Sequence, residues 1–305
     1  MPPLRVAVNP VAAEFAVDAV ERGGGTVVTL DDRPDALVWL DPADVDGLAE
    51  AVTTPTLRWI QLPFAGVERV MAAGLVDTER TWTCAKGSYA EPVAEHALAL
   101  ALAGLRVLPT RVMARSWGAQ AGSSLFGRPV TIVGGGGIAG VLARLLAPFG
   151  IELTVVRRSD TPFPGAVRTL PVSRIDEALP GAQVVFLALA LTPETTGLID
   201  AGRLARMDER AWLVNVARGR HVDTAALVAA LDAGSIAGAA LDVTDPEPLP
   251  DGHPLWGREN VIVTPHTADT FEMVIPLLAE RISTNVARFV SGQPLVGLVD
   301  PAAGY

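Results

Sequence analysis

Short apolar runs alternate along most of the chain with segments whose apolar positions recur at helical spacing. The runs LRVAV (4–8), TVVTL (26–30), ALVWL (36–40) and LRWIQL (57–62) read as strands buried on both faces. Helical periods lie between them, at 11–22 and 66–73. From Glu91 a longer helical pattern begins, EPVAEHALALALAGLRVLPTRVMAR, with Pro92 in its first turn, where no N–H is needed. A second series of runs follows: RPVTIVG (128–134), LTVVRR (153–158), AQVVFLAL (182–189), AWLVNVA (211–217), IAGAALDV (236–243) and VIVTPH (261–266). Helices are expected between most of these, for example over 137–149 and 223–233, and a final helix over roughly 270–291. Pro276 is expected to kink that last helix or to mark its real start. The alternation predicts two doubly wound α/β domains with parallel sheets. One takes residues 1–90 with 271–305, the other 91–270.

Composition narrows the classes. The chain has 305 residues and is 50% hydrophobic, so two cores are within reach. No apolar run reaches the ~18 residues that a membrane span needs; ALALALAGL (97–105) is cut off by His96 and Arg106. The N-terminal MPPLRVAVNP lacks the pattern of a secretory leader. One cysteine, Cys84, allows no internal disulfide and suits a reducing cytoplasm. A net charge of −10 argues against a nucleic-acid partner. Four scattered histidines and one cysteine give no metal-ligand spacing. Lys86 is the single lysine among 24 basic residues.

VTIVGGGGIAG (130–140) follows a strand and opens a helix, the order that a diphosphate site requires. Two registers fit: Gly134, Gly136 and Ala139, or Gly135, Gly137 and Gly140. The first is preferred because Gly134 ends the strand. This makes the larger domain a Rossmann dinucleotide-binding domain. ERGGGTVV (21–28) follows a helix and precedes a strand, so its glycines read as a helix stop and turn. About 20 residues past the glycine loop, where a carboxylate would accept from a ribose 2′-hydroxyl, stand Arg157, Arg158 and Ser159. Guanidinium forks suit the 2′-phosphate of NADP(H). The plainer alternative is a solvated strand end, with NAD still used.

Arg218, Glu247 and His266 follow strand ends in the second half, where ligands of open α/β sheets bind. The segments around them, VNVARGRHVD (214–223), ALDVTDPEPLPDGHPLW (240–256) and VIVTPH (261–266), resemble signatures of the D-isomer-specific 2-hydroxyacid dehydrogenases. LRWIQLPFAGVERV (57–70) resembles that family's substrate-carboxylate loop, and SYAEPVAEHALAL (88–100) the start of its interdomain helix. The resemblance spans nearly the whole chain.

The resemblance implies roles. Arg218 clamps the substrate carboxylate and polarises the keto oxygen. His266 is the acid–base group and Glu247 its hydrogen-bond partner. Asp242 orients the nicotinamide carboxamide. The backbone of Phe64, Ala65 and Gly66 receives the carboxylate. The expected cofactor set is Gly134, Gly136, Gly137, Ile138, Arg157, Arg158, Ser159, Ala217 and Asp242. The expected substrate set is Phe64, Ala65, Gly66, Lys86, Arg218 and His266. Chemistry agrees: a planar arginine holds a carboxylate bidentately, and an alkoxide needs a proton that histidine can give. A carboxylate on the other ring nitrogen favours imidazolium and the reductive direction. His96 is expected to be structural, and His221 and His253 exposed. Lys86 is a surface lysine or a contact for an anionic substrate group.

Two positions depart from the family pattern: Ala190 replaces a frequent proline, and Ala139 a frequent glycine. A formate dehydrogenase would carry glutamine at Glu247. The absence of sequence beyond residue 305 is taken to disfavour a long, feedback-regulated phosphoglycerate dehydrogenase. The resulting expectation is a cytoplasmic, NADP(H)-preferring reductase of small 2-keto acids such as glyoxylate or hydroxypyruvate. Its cleft lies between two domains, and it is a homodimer through residues 98–127. The rivals are a short phosphoglycerate dehydrogenase-like enzyme using NAD and a non-catalytic, dinucleotide-sensing protein of corepressor type.

Overall fold

The apolar runs become strands. The structure is a computed structural model and describes residues 3–302. In chain order come β1 (Leu4–Asn9), α1 (Glu14–Arg22), β2 (Gly25–Val28), β3 (Ala36–Trp39), α2 (Val45–Ala51), β4 (Trp59–Gln61), α3 (Glu68–Ala72) and β5 (Thr81–Thr83). Next are α4 (Ala90–Leu105), α5 (Leu108–Met113), β6 (Pro129–Val133), α6 (Gly137–Leu146), β7 (Glu152–Arg157), β8 (Arg168–Pro171) and β9 (Val184–Leu187). The chain closes with α7 (Ala201–Leu204), β10 (Trp212–Asn215), α8 (Thr224–Asp232), β11 (Gly238–Leu241), β12 (Val261–Val263) and α9 (Phe271–Val290). It folds as two units, residues up to Tyr89 with those from Thr270 onward, and Ala90–Asp269.

The first unit holds five parallel strands in the order β2-β1-β3-β4-β5. Leu37, Trp59, Ile60 and Leu62 are fully buried in it, each contributing roughly 1.5–3 kcal/mol of burial. α9 packs against α1, and its Phe289 stacks on Trp59 with centroids 5.6 Å apart. The second unit holds seven parallel strands in the order β12-β11-β10-β9-β6-β7-β8. The order reverses between β6 and β9, so the crevice that binds ligands in such sheets opens at the carboxyl ends of those two strands.

Several boundaries differ from the sequence reading. The long helix expected from Glu91 breaks after Leu105, and Val107 takes a left-handed φ of 54° before α5. Pro109 explains the break: it has no N–H to donate to Leu105 O in a continuing helix, and it fits instead in the first turn of α5. Pro276 lies inside α9 and is not its start. Strands β5 and β8 escaped the pattern. Both are short sheet edges, and the sequence TWT hides a buried Thr83 whose hydroxyl accepts from Trp59 Nε1 at 2.8 Å. Among the described residues, no helix is long and apolar enough to cross a membrane.

Candidate active site

The glycine loop stands at the switch point. Gly134 N–H donates to Val156 O at 2.7 Å, and Ala188 N–H donates to Val133 O at 2.8 Å, so β6 is pinned between its neighbours. Gly134 takes φ 132°, and a Cβ there would lie 1.9 Å from the Ala188 carbonyl oxygen. Only glycine meets both demands. Gly136 caps α6, and a Cβ there would meet no atom within 4 Å. Ala139 is fully buried, in the place where the motif sets its third small residue. The spacing Gly134, Gly136, Ala139 thus has a close approach, an open position and a packed one in the required order. Gly137 and half-buried Ile138 form the first turn of α6, whose N–H groups have no partner within the helix. These residues fit the diphosphate of a dinucleotide.

Arg157 ends β7 beside this loop: a Cβ at Gly135 would lie 2.9 Å from Arg157 Cβ. Its guanidinium carbon lies 5.9 Å from the Phe163 ring centroid. Arg158 and Ser159 are exposed, and Ser159 Oγ lies 3.2 Å from Thr161 Oγ1. Arg158 also acts on Glu194, whose carboxyl is held below its ordinary value first by Thr192 and lastly by Arg158.

The catalytic candidates occupy the far side of the same sheet edge. Arg218 follows β10 and is half-buried. Its Nη1 donates to Ala217 O at 2.7 Å, and its own carbonyl accepts from Asn215 Nδ2 at 2.9 Å. Asn215 also accepts from buried Ala217 N–H at 3.0 Å, so one buried amide sets the whole turn. Gly219 allows that turn to press on residue 244; a Cβ there would lie 1.9 Å from Thr244 O.

After β12 the chain reaches His266, whose Nδ1 lies 2.7 Å from Glu247 Oε1. The other ring nitrogen is thereby left to a reacting group. His266 has φ 50°, a left-handed conformation that a histidine holds only when its surroundings enforce it. Asp242 does so. Its backbone O accepts from His266 N–H at 2.8 Å. Its Oδ1 accepts from Thr264 Oγ1 at 2.6 Å and Thr267 N–H at 2.9 Å, and its Oδ2 from Ala268 N–H at 3.1 Å. His96 Nε2 lies 3.3 Å from the same Oδ1 and 3.1 Å from Thr264 Oγ1. Burial opposes the Asp242 charge, but these donors outweigh it and lower its pKa to about 2. Asp269 lies in the same field. Burial pushes its carboxyl up, with Asp242 adding, while His266 and Arg218 pull it down.

Two expectations about histidines are corrected. His221 is fully buried, with Nδ1 2.9 Å from Thr195 O and Nε2 3.3 Å from Leu189 O. The turn after Arg218 tucks under the 189–199 segment, which donates from Gly197 and Ile199 N–H to Arg220 and His221 carbonyls at 2.8 Å each. His253 is half-buried and accepts from Leu255 N–H at 3.2 Å. The sequence reading also missed Asn215, Thr264 and Asp269. Their place two or three residues from Arg218 and His266 was the available signal, but adjacency does not reveal which polar neighbours bond inward.

In the first unit, Phe64, Ala65 and Gly66 follow β4, and Lys86 follows β5. Lys86 is exposed, while its carbonyl accepts from Arg281 Nη2 at 3.0 Å.

Two parallel-sheet α/β units, one with a dinucleotide loop at its switch point and a histidine–carboxylate pair nearby, define a nicotinamide-dependent oxidoreductase. Residues 96–268 match the model of the D-isomer specific 2-hydroxyacid dehydrogenase NAD-binding domain. The chain is 39% identical over 255 residues to a Corynebacterium melassecola protein named for its place in the proB 3′ region, covering 82% of this chain and 84% of that one. It is 32% identical to a glyoxylate reductase of Thermofilum pendens, covering 87% and 81%. A D-isomer specific 2-hydroxyacid dehydrogenase of Xanthobacter autotrophicus Py2, solved with NADPH and MES, superposes with a TM-score of 0.85 at 29% identity, over 99% of each chain. The chain belongs to the D-isomer specific 2-hydroxyacid dehydrogenases, oxidoreductases that act on the CH–OH group of their donors.

Proposed function

We propose that this dehydrogenase reduces a small 2-keto acid, such as glyoxylate or hydroxypyruvate, to the D-2-hydroxy acid, with NADPH in preference to NADH. The observation that carries the reaction is the 2.7 Å His266–Glu247 bond, which presents one imidazole nitrogen as a proton donor. Arg218 takes the role of carboxylate clamp and polariser of the keto oxygen, and the Phe64–Gly66 backbone that of a carboxylate-binding loop. Asp242 orients the nicotinamide carboxamide and Ala217 lines that end of the cofactor. A nicotinamide cofactor held by the glycine loop would supply the hydride. As the keto carbon accepts it, the C=O electron pair moves to oxygen, and His266 Nε2 gives that oxygen its proton while Glu247 steadies the ring.

Cofactor preference rests on Arg157 and Arg158, with Ser159, where a 2′-phosphate would lie; the NADPH complex of the Xanthobacter relative supports the same choice. Initial rates of hydroxypyruvate and glyoxylate reduction at equal NADPH and NADH decide it. NADPH is expected to be faster. Replacing both arginines by alanine should raise KM for NADPH by roughly 10- to 100-fold, the worth of lost charge-assisted bonds, and leave KM for NADH near its starting value. Faster turnover with NADH in the unaltered enzyme overturns the phosphate reading and leaves the reductase intact.

The same chain offers a surface for a second copy. Val112, Met113, Trp117 and Phe126 are all exposed apolar residues between α4 and β6, Trp117 at 97%. Exposed apolar side chains within this one stretch support an association face there. Sedimentation is expected to give twice the chain mass, and Trp117→Asp to shift it toward one. A monomer at tens of micromolar would remove the homodimer.

A further inference from the structure

Arg281 of α9 is only 9% exposed and has no carboxylate partner among the described residues. Its Nη1 donates to Cys84 O at 2.8 Å and its Nη2 to Lys86 O at 3.0 Å. Burial lowers the guanidinium from its ordinary value, and the groups that pull it back are the Cys84 thiol and the Tyr89 hydroxyl. Arginine keeps its proton even so. Two carbonyl dipoles satisfy donors but do not neutralise a charge, so the Arg281 guanidinium remains a buried cation behind Cys84, a site that also feels Lys86 and, with opposite sign, Glu68.

The segment that Arg281 holds is bonded in turn to the candidate substrate loop. Segment 84–89 is laced to loop 63–66 by three bonds, and in each the acceptor is a loop carbonyl. Ala85 N–H donates to Phe64 O at 2.8 Å, Cys84 Sγ to Ala65 O at 3.5 Å, and the Tyr89 hydroxyl to Pro63 O. The loop's carbonyls are therefore committed to segment 84–89. The N–H groups of Phe64, Ala65 and Gly66 meet no acceptor among the described residues. Successive backbone N–H groups left open in this way form an anion-binding concavity.

We propose that Arg281 is a positioning residue for the substrate anion: it fixes segment 84–89 behind the Phe64–Gly66 loop and lends that loop the buried positive charge that favours a carboxylate. The assignment rests on the reading that this loop takes the carboxylate of a 2-keto acid. It differs from the direct clamp by Arg218, because Arg281 acts through the backbone it holds and through its field. It also gives the family's N-terminal loop a charge that no residue within the loop supplies.

The test uses the full chain with Arg281→Gln and Arg281→Lys, glyoxylate and hydroxypyruvate as substrates at saturating NADPH, and oxalate as a non-reacting anion. With Arg281→Gln, KM for the keto acid and the oxalate inhibition constant should each rise about tenfold, the weight of one partly screened charge. KM for NADPH should stay within twofold. Arg281→Lys keeps the charge and should recover most of the loss. Equal KM values for the Gln and Lys variants would overturn the proposal, as would a parallel rise in KM for NADPH, which marks a merely structural role. If the Gln variant does not fold, Arg281→Met supplies a neutral side chain without a buried amide. Oxalate binding, read by quenching of tryptophan fluorescence, separates the two levels. Failure of every keto acid to turn over overturns the reductase reading, whereas oxalate binding that ignores the loss of charge overturns the role of Arg281.

Discussion

Replacing His266 by glutamine is expected to lower kcat for keto-acid reduction by roughly 10²–10⁴, the usual worth of a positioned proton donor. KM for NADPH should change little, because the ring's bonded partner is Glu247, 2.7 Å from Nδ1. Glutamine can still donate a hydrogen bond from its amide but cannot give up a proton to an alkoxide. Binding and chemistry should therefore separate, with kcat and kcat/KM falling together. Steady-state kinetics with either keto acid reads the result. A loss below tenfold would take the proton transfer away from His266. The same variant distinguishes a catalyst from a cofactor-sensing protein, for which cofactor affinity would be unchanged and no rate would exist to lose.

Asp242→Asn is expected to destabilise the nucleotide domain by about 2–3 kcal/mol at neutral pH. The carboxylate is almost wholly buried, and its pKa lies near 2 against an ordinary 3.8. A group lowered on folding stabilises the native state above its unfolded value and loses that contribution as pH falls through its folded value. The effect is thus fully present above about pH 5 and fades between pH 4 and pH 2. Urea midpoints at pH 7 should differ between the two proteins, and those near pH 2 should converge. Parallel curves over that range would mean that the Asp242 charge carries no folding energy. Activity should fall as well, because Asp242 holds Thr264, Thr267 and Ala268 on both sides of His266, and without it the left-handed φ of 50° at His266 has less to enforce it.

Much of this molecule was legible in one dimension. A parallel strand buried on both faces writes itself as a continuous apolar run, and the strands of both sheets except β5 and β8 were readable as such runs; β2, read as buried, is an edge strand with none of its residues buried. The glycine loop was readable because backbone approach to a diphosphate restricts residue type locally. Gly134 shows the rule in three dimensions, with its φ of 132° and the Ala188 carbonyl against it. Arg218, Glu247 and His266 could be named as strand-end residues because the residues of their motifs are contiguous. The structure adds that His266 and Glu247 meet.

Tertiary structure alone decided the rest, because long-range bonds leave no periodic mark. Nothing in the sequence around His221 says that both its ring nitrogens end against carbonyls of a segment some 26 and 32 residues away. His96 lies 168 residues from Thr264, and only the packed second unit brings it to that hydroxyl and to Asp242. Arg281 reads as one polar position on an amphipathic helix; it becomes a buried charge only when α9 returns across 197 residues to the carbonyl of Cys84. Local sequence determines what each segment prefers to be and which motifs it carries. Which polar groups share a buried space, and so which charges are paired and which remain to act on a ligand, is set by the closure of the whole chain.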